Sequence, residues 1–450
     1  MTTAPSAFRP RLGVIISTWS HEDGREYAAS LVKDFPSTAP LDRVELVMSP
    51  RLLEYETDIA PIVDIFHKSG IDALLLVPGN FTLDHVLPMM AGAIRLPTIL
   101  WGIPTQQAWG ALVAIHQTLY PFKELGLRYR YLAAELGDAR AWDKALAYAR
   151  GAALVHRLRG LRIGLMGWRA QGMSDTAFDE LALRETFGVQ VVNVGLTRYT
   201  RAIEAVPEAQ VASEWTALKP EFDTANIADE VSQYGVRTYL AMKDLAEQEA
   251  LQAVTVECFH DHLGGPCLGC SLFNDQGVAA SCESDVPGAL LMWACQQLSG
   301  APTFHVDIIK ADLSRGEAIL HHCGNLPRRL AEDPKRVGLR AIPEHIGPGA
   351  YGPTVQATMA PGAITIANLV GRRGTMRLCA LEAEAVPYQL EFPGSAAKAV
   401  FSYDLAEALE AIGNAGFGHH FVVMRGHYAR DLGEWCALSG VEFLPLTTRG

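Results

Sequence analysis

The chain alternates short, almost wholly apolar runs with longer amphipathic stretches. Residues 11–17 (RLGVIIS), 44–48, 72–77 (DALLLV) and 98–102 (TILWG) have the length and composition of buried strands. Between them, residues 25–35, 58–69 and 106–119 carry apolar side chains at helical spacing, and Gly70 closes the second of these runs. Strands alternating with helices predict a parallel sheet with helices on both faces. Ligands of such sheets sit at the carboxyl ends of strands, here Thr18, Trp19, Pro78, Gly79, Asn80, Trp101 and Gly102. After a predicted helix at 142–158 the pattern restarts. A strand at 161–166 leads into the turn GWRAQGMSD, where Ser174 or Asp175 is placed to cap a helix through Glu185. A strand at 189–194 follows, then a long helical segment over 224–251 with a break expected near Gly235.

Past residue 300 strand-like runs dominate. Residues 362–371 and 375–384 flank Arg372-Arg373-Gly374 as the arms of a hairpin, and 388–392 and 399–403 add strands. A helix at 404–412, a strand at 421–424 and a helix at 428–438 close the chain. The fold class predicted is α/β: two doubly wound αβα domains followed by a β-rich, barrel-like C-terminal domain. The expected boundaries are 1–155, 156–300 and 301–450, with Glu283 in the second domain and Asp307 and His420 in the third.

Composition narrows the function classes. The chain has 450 residues, more than one core usually serves, with 49% apolar and 20% charged residues. Its net charge of −12 argues against general nucleic-acid or anionic-membrane binding. No apolar run approaches the roughly 18 residues of a membrane span, and the first residues lack the pattern of a signal peptide. Eight cysteines in so long a chain read as reduced thiols, and the expected location is the cytoplasm. Glycines 164, 167 and 172 do not match the dinucleotide-binding spacing, which disfavours a nicotinamide-dependent oxidoreductase.

The chemistry concentrates in residues 253–310. A strand-like run ends at Cys282-Glu283, and Asp285 precedes Val286-Pro287 and a helix to about Leu298, so Asp285 reads as its N-cap. Glu283 lies just outside that cap, at a strand's carboxyl end. In the alternating run Thr303–Ile309, His305, Asp307 and Ile309 share one face. Asp307 is then a carboxylate in an apolar strand, which needs a cation or strong donors; a metal ion provides this, and so does an arginine. Near the C-terminus, His419, His420 and His427 lie among Gly413, Gly416, Gly418 and Gly426. Histidines there are either metal ligands or polar loop residues.

The run Glu283-Ser-Asp-Val-Pro-Gly-Ala-Leu followed by Phe304-His-Val-Asp307 resembles the L-fucose isomerase family, within the fucose/arabinose isomerase superfamily, and this chain resembles a shorter member. Glu283 and Asp307 stand 24 residues apart, as do that family's two acidic ligands, and His420 with Gly426-His427 matches its C-terminal segment. The resemblance implies a divalent ion, most often Mn2+, held by Glu283, Asp307 and His420. It implies Glu283 and Asp307 as the acid/base pair of an aldose–ketose isomerase working through a cis-enediolate. It also implies a homo-oligomer, a hexamer among the forms, with pockets near subunit interfaces. A His322-Cys-Gly-Asn325 segment borders the pocket in shorter members, which makes His322 and Asn325 substrate contacts. Asp285 matches an acid of the motif that is not a ligand there.

Other residues have both a functional and an ordinary reading. His260 and His262 either reach the sugar or are satisfied elsewhere. Trp19 and Trp101 are plausible substrate contacts of the first domain, or packing residues. Cys258, Cys267, Cys270 and Cys282 form a zinc site or buried pocket wall; their spacing does not give two CxxC pairs. Arg372, Arg373 and Arg425 are the cations considered for an anionic sugar. The expected substrates are a deoxy-hexose, a pentose or an anionic 6-substituted hexose such as sulfoquinovose. The rival is a non-catalytic sugar-binding protein of two-domain α/β type, which has no use for a carboxylate pair.

Overall fold

The computed structural model describes residues 8–259, 262–342 and 352–446. They fall into two compact units. The first comprises residues 8–157 together with 430–438. Its elements are β1 (Arg11–Ser17), α1 (Arg25–Asp34), β2 (Glu45–Met48), α2 (Ile59–Ser69), β3 (Ala73–Pro78), α3 (Val86–Ile94), β4 (Thr98–Gly102), α4 (Ala111–Glu124), β5 (Tyr129–Ala133) and α5 (Ala139–Arg157). All pairings are parallel, in the order β2-β1-β3-β4-β5. The strands are buried on both faces because alternate residues feed two cores. Leu75 and Val77 pack on the side of Trp101, Trp142 and Phe35, while Leu74 and Leu76 pack on the side of Phe66 and Phe122.

The second unit runs from 158 to 429 and resumes at 439. It begins with β6 (Arg162–Met166), α6 (Glu180–Phe187), β7 (Gln190–Val194), α7 (Leu196–Ala205), α8 (Glu208–Leu218), α9 (Asp229–Gln248), β8 (Ala253–Val256), α10 (Cys267–Asp275), β9 (Ala279–Cys282) and α11 (Val286–Ser299). Its sheet is parallel in the order β7-β6-β8-β9. There follow β10 (Phe304–Asp312), β11 (Glu317–His322), β12 (Gly338–Ala341), β13 (Pro353–Thr358), β14 (Gly362–Arg372), β15 (Thr375–Val386), β16 (Ser395–Val400), α12 (Leu405–Ala415), β17 (His420–Arg425), α13 (Ala429–Ser439) and β18 (Glu442–Pro445). Six of these strands close a ring, β16-β11-β10-β17-β14-β15 and back to β16, antiparallel at every step. Closure removes the edges that an open sheet exposes. β13 and β18 extend the barrel by parallel pairings.

The architecture is thus α/β with two parallel sheets and a β-rich barrel. Across residue 300, where the sequence predicts a boundary, one core runs from Val254, Val256 and Leu268 to Phe304, Leu320 and Val423. The connecting element is α11, apolar and buried on nearly every side, as a helix packed between two layers must be. It contacts β8 and β9 on one side and β14 and β17 on the other. The segment 430–438 of α13 packs into the first unit, where Asp431 pairs with Arg150 at 2.5 Å.

Several local expectations shift. The helix expected from Ser174 or Asp175 starts at Glu180 and is capped by Asp179, whose side chain accepts from the Leu181 and Ala182 N–H groups; residues 174–176 form a short 3₁₀ turn. Residues 388–392 are not a strand. The helix expected from 106 begins at Ala111. α9 runs unbroken through Gly235, whose missing side chain has a packing cause: a Cβ there would lie 2.4 Å from the Pro353 ring. No described helix is long and apolar enough to cross a membrane.

Candidate active site

The site forms where β9 ends, α11 begins and two barrel strands run past. β9 stops at Cys282, and Glu283 and Ser284 both adopt left-handed backbone, with φ of 60° and 58°. Two consecutive non-glycine residues in that region are costly, and such strain collects at functional sites. The surroundings hold the turn in place. Ser284 N–H donates to Val256 O (3.0 Å), its hydroxyl to Trp168 O (2.6 Å), and Ser281 Oγ to Asp285 O (2.8 Å).

Asp285 uses its two oxygens differently. Oδ1 accepts from Gly288 N–H at 2.9 Å, the N-cap expected from the sequence. Oδ2 lies 3.3 Å from His305 Nε2 and 3.2 Å from His420 Nδ1. A Cβ on Gly288 would fall 2.2 Å from that same Oδ2, so only glycine fits. His305 and Asp307 alternate along β10, and in the antiparallel register Asp307 stands directly opposite His420 on β17. His420 then reaches across to Glu283, Nε2 to Oε2 at 2.9 Å. The rings of His305 and His420 are 4.3 Å apart, and those of His305 and His322 are 5.4 Å apart.

Electrostatics describe a site arranged for a cation. Burial raises the Glu283 carboxyl, but the His420 bond and the nearby imidazoles overcome this and hold it down at about 2. Asp285 is likewise pulled well below the carboxylate range against its burial, through His305 and His420. His420 is pushed up to about 10: burial opposes its charge, but Asp285 and Glu283 on either side favour it. Asp307 behaves oppositely. Burial lifts its carboxyl to about 6, and its Oδ1 is buried with no hydrogen-bond partner. His322 is held neutral by burial, down at about 3.

The residues fit a divalent ion. Donor atoms of Glu283, His419 and His420 lie within 4.8 Å of one another, as do those of His305, His322 and His420. The orphaned Asp307 oxygen faces a histidine that needs a positive charge only because two carboxylates flank it, and a cation answers both.

Glu283, His420 and His322 come together in this unit, and Asp307 stands opposite His420 in the strand register, but among the described residues no set of three donors within 4.8 Å includes Asp307. Asn325 lies just beyond β11, buried, with neither side-chain amide atom paired to protein. His260 lies outside the described residues. His262 is engaged by Thr200 Oγ1 at 3.2 Å and stacks edge-on to Tyr199. Trp19 and Trp101 belong to the first unit. Trp101 is fully buried there, its indole N–H donating to Ala134 O (2.9 Å) and its rings 5.1 Å from Trp142. The Trp19 backbone N–H is bound to Asn80 Oδ1. Arg425 donates to Pro361 O, and Arg373 is exposed in the β14–β15 turn. The side chain of Arg372 lies outside the described residues.

Three participants escaped the sequence reading. Asp175 accepts from His419, through N–H (3.0 Å) and Nδ1 (2.5 Å), across 244 residues. Asp285 acts on His420 as well as on the helix. His305 had a visible signal, its alternation with Asp307, but nothing in one sequence tied it to Asp285.

No protein-family model matches the chain. Among curated proteins it is 25% identical over 350 residues to the sulfoquinovose isomerase of Clostridium sp. (strain MSTE9), covering 75% of this chain and 77% of that protein. It is 21% identical over 401 residues to the sulfoquinovose isomerase of Alkalicoccus urumqiensis, covering 87% and 88%. It is 26% identical over 333 residues to the L-arabinose isomerase of Aeromonas salmonicida (strain A449), covering 68% and 64%. These relatives fit the fucose/arabinose isomerase superfamily. Among solved structures, a periplasmic solute-binding protein from Actinobacillus succinogenes with bound D-allose is matched at 13% identity over 65% of this chain and 92% of that one. Its TM-score is 0.18, too low to carry an argument.

Proposed function

We propose, from the premise that this chain is an aldose–ketose isomerase of sugars, that Glu283, Asp307 and His420 hold a divalent ion, Mn2+ first among those to test, and that the two carboxylates move the proton between C1 and C2. The observation that carries this reading is the convergence of a strained turn, one barrel strand and its neighbour: Glu283 bonds His420, and His420 stands opposite Asp307. When bound, the ion supplies Lewis-acid polarisation of the substrate's carbonyl and adjacent hydroxyl. The protein's own groups supply the rest. Glu283, bonded to His420, is the base for the C2 proton. Asp307, the more loosely ligated of the two, carries the proton delivered at C1, while the hydroxyl proton passes from O2 to O1. In the return direction the roles reverse. His322, neutral and buried, and Asn325, with an unpaired amide, are placed to hold substrate hydroxyls.

Two of the relatives described are sulfoquinovose isomerases, aligned over three quarters of this chain or more, which supports an anionic 6-substituted hexose as the first substrate to try. The test is exchange of the C2 proton with deuterated water, followed by NMR, over a panel of aldoses with and without Mn2+. Glu283→Gln and Asp307→Asn should each slow exchange by about 10²-fold or more. A sugar that binds without exchanging in any condition would favour the two-domain sugar-binding protein instead. Full exchange in either variant would remove that residue from the mechanism.

A further inference from the structure

The proposed mechanism leaves the thiols beside Glu283 unused. Cys258, Cys267, Cys270 and Cys282 are all buried. The Cys258 sulfur lies within hydrogen-bonding reach of the Cys267 and Cys282 thiols and accepts from Gly264 N–H at 3.4 Å. Cys282, the last residue of β9, is next to Glu283 in sequence and near His322 in space. Donor atoms of Cys282, Glu283 and His322 all lie within 4.8 Å of one another.

We propose that Cys282, Glu283 and His322 form a binding site for a soft, thiophilic divalent ion of the zinc or cadmium kind, and that this ion competes with the catalytic one for Glu283. The donor set carries the argument. A thiolate, an imidazole and a carboxylate suit zinc, whereas Mn2+ prefers oxygen and imidazole and gains little from sulfur. Bonds of zinc to such donors leave the ligand atoms about 3.3 to 3.8 Å apart, which modest side-chain rotation from the present spacing achieves. The site is a second solution that the same pocket offers. It shares Glu283 with the catalytic site and adjoins it, since donor atoms of His322 also lie within 4.8 Å of those of His420, so one carboxylate cannot serve both ions fully. Binding is ligand exchange without redox change. Cys282 gives up its S–H proton, and with it the contact to the Cys258 sulfur, the proton passing out to the buffer; His322 gives a ring nitrogen lone pair, and Glu283 gives a carboxylate oxygen. For N/S/O donors zinc binds more tightly than manganese, so a trace of zinc suffices to compete.

The experiment uses the full chain, stripped of metal and kept reduced, titrated with Cd2+ and read by the ultraviolet sulfur-to-cadmium charge-transfer absorption. A saturable band is expected, with Cys282→Ser weakening it by about tenfold or more in apparent Kd. His322→Gln serves as the second variant should the serine variant fail to fold, and is expected to weaken it likewise. Excess Mn2+ should raise the apparent Kd for Cd2+. Only this competition rests on the catalytic reading above, because the band itself requires no activity. In the Mn2+-supported reaction, Zn2+ should inhibit the wild type, and Cys282→Ser should shift that inhibition to about tenfold higher zinc. No band in the wild type, or an unchanged band in both variants, overturns the site. A band insensitive to Mn2+ overturns the sharing of Glu283.

Discussion

Asp285 Oδ2 accepts from His420 Nδ1 at 3.2 Å, and this one bond turns the other ring nitrogen, Nε2, toward Glu283. A carboxylate behind a ligating histidine fixes its tautomer and raises its basicity. Asp285→Ala should therefore lower Mn2+ affinity by about 10- to 100-fold, measured by calorimetry, beyond the roughly 1 kcal/mol that loss of the α11 cap takes from stability. Asp285→Asn keeps a cap acceptor, so its affinity loss should come with less stability loss. Equal effects on both readouts would reduce Asp285 to a helix cap.

Gly288 guards the same arrangement from behind. A methyl group there meets Asp285 Oδ2 at 2.2 Å and His305 Nε2 at 3.2 Å, so Gly288→Ala must push the carboxylate out of its place. In an exposed helix this substitution would gain up to about 1 kcal/mol by propensity. Here it should lower the melting temperature and the Mn2+ affinity together.

Asp307 sets a pH dependence in the metal-free protein. Its folded-state carboxyl, lifted to about 6 by burial, binds its proton more tightly than the unfolded chain does. The stabilisation is therefore complete below about pH 4 and is lost as pH rises through 6. Denaturant unfolding in chelator should find the wild type losing roughly 2 to 3 kcal/mol relative to Asp307→Asn between pH 4 and pH 7. Mn2+ should restore the loss. A flat difference would mean that Asp307 is ionised throughout.

How much of this was legible in the sequence depended on whether the cause was local. The β9 terminus, the Asp285 cap and the face shared by His305 and Asp307 are written in short-range pattern, and so were readable. α7 and α8 were not, because they carry few buried anchors, Tyr199 and Ile203 in one and Val211 and Trp215 in the other. In sequence Ser174 and Asp175 are equally placed to cap a helix, the usual work of such residues after a turn; His419, the partner of Asp175, is brought to it only by the tertiary fold. Barrel closure through β15 and β16 leaves no trace in either strand alone. The orientation of His420 was equally hidden, since it depends on an aspartate 135 residues earlier.

An anionic substrate requires a cation near the site, and Arg169 is a candidate among the described residues. It lies on the loop after β6, between Trp168, whose carbonyl accepts from Ser284 Oγ, and Asp175, which binds His419. Its Nη1 donates to the loop's own carbonyls, Met173 O at 3.0 Å and Ala170 O at 3.4 Å, bonds that a sulfonate or phosphate could replace with stronger, charge-assisted ones. Arg169→Met should raise KM for a 6-sulfonated sugar by about tenfold or more, since a charged hydrogen bond contributes roughly 1.5 to 3 kcal/mol, and leave KM for a neutral pentose within about twofold. Because the guanidinium touches neither carboxylate of the proton transfer, kcat should change less than KM. Steady-state kinetics on the two sugars, repeated at high salt, check this. The selectivity should narrow as ionic strength rises, and equal effects on both sugars would place the anion elsewhere.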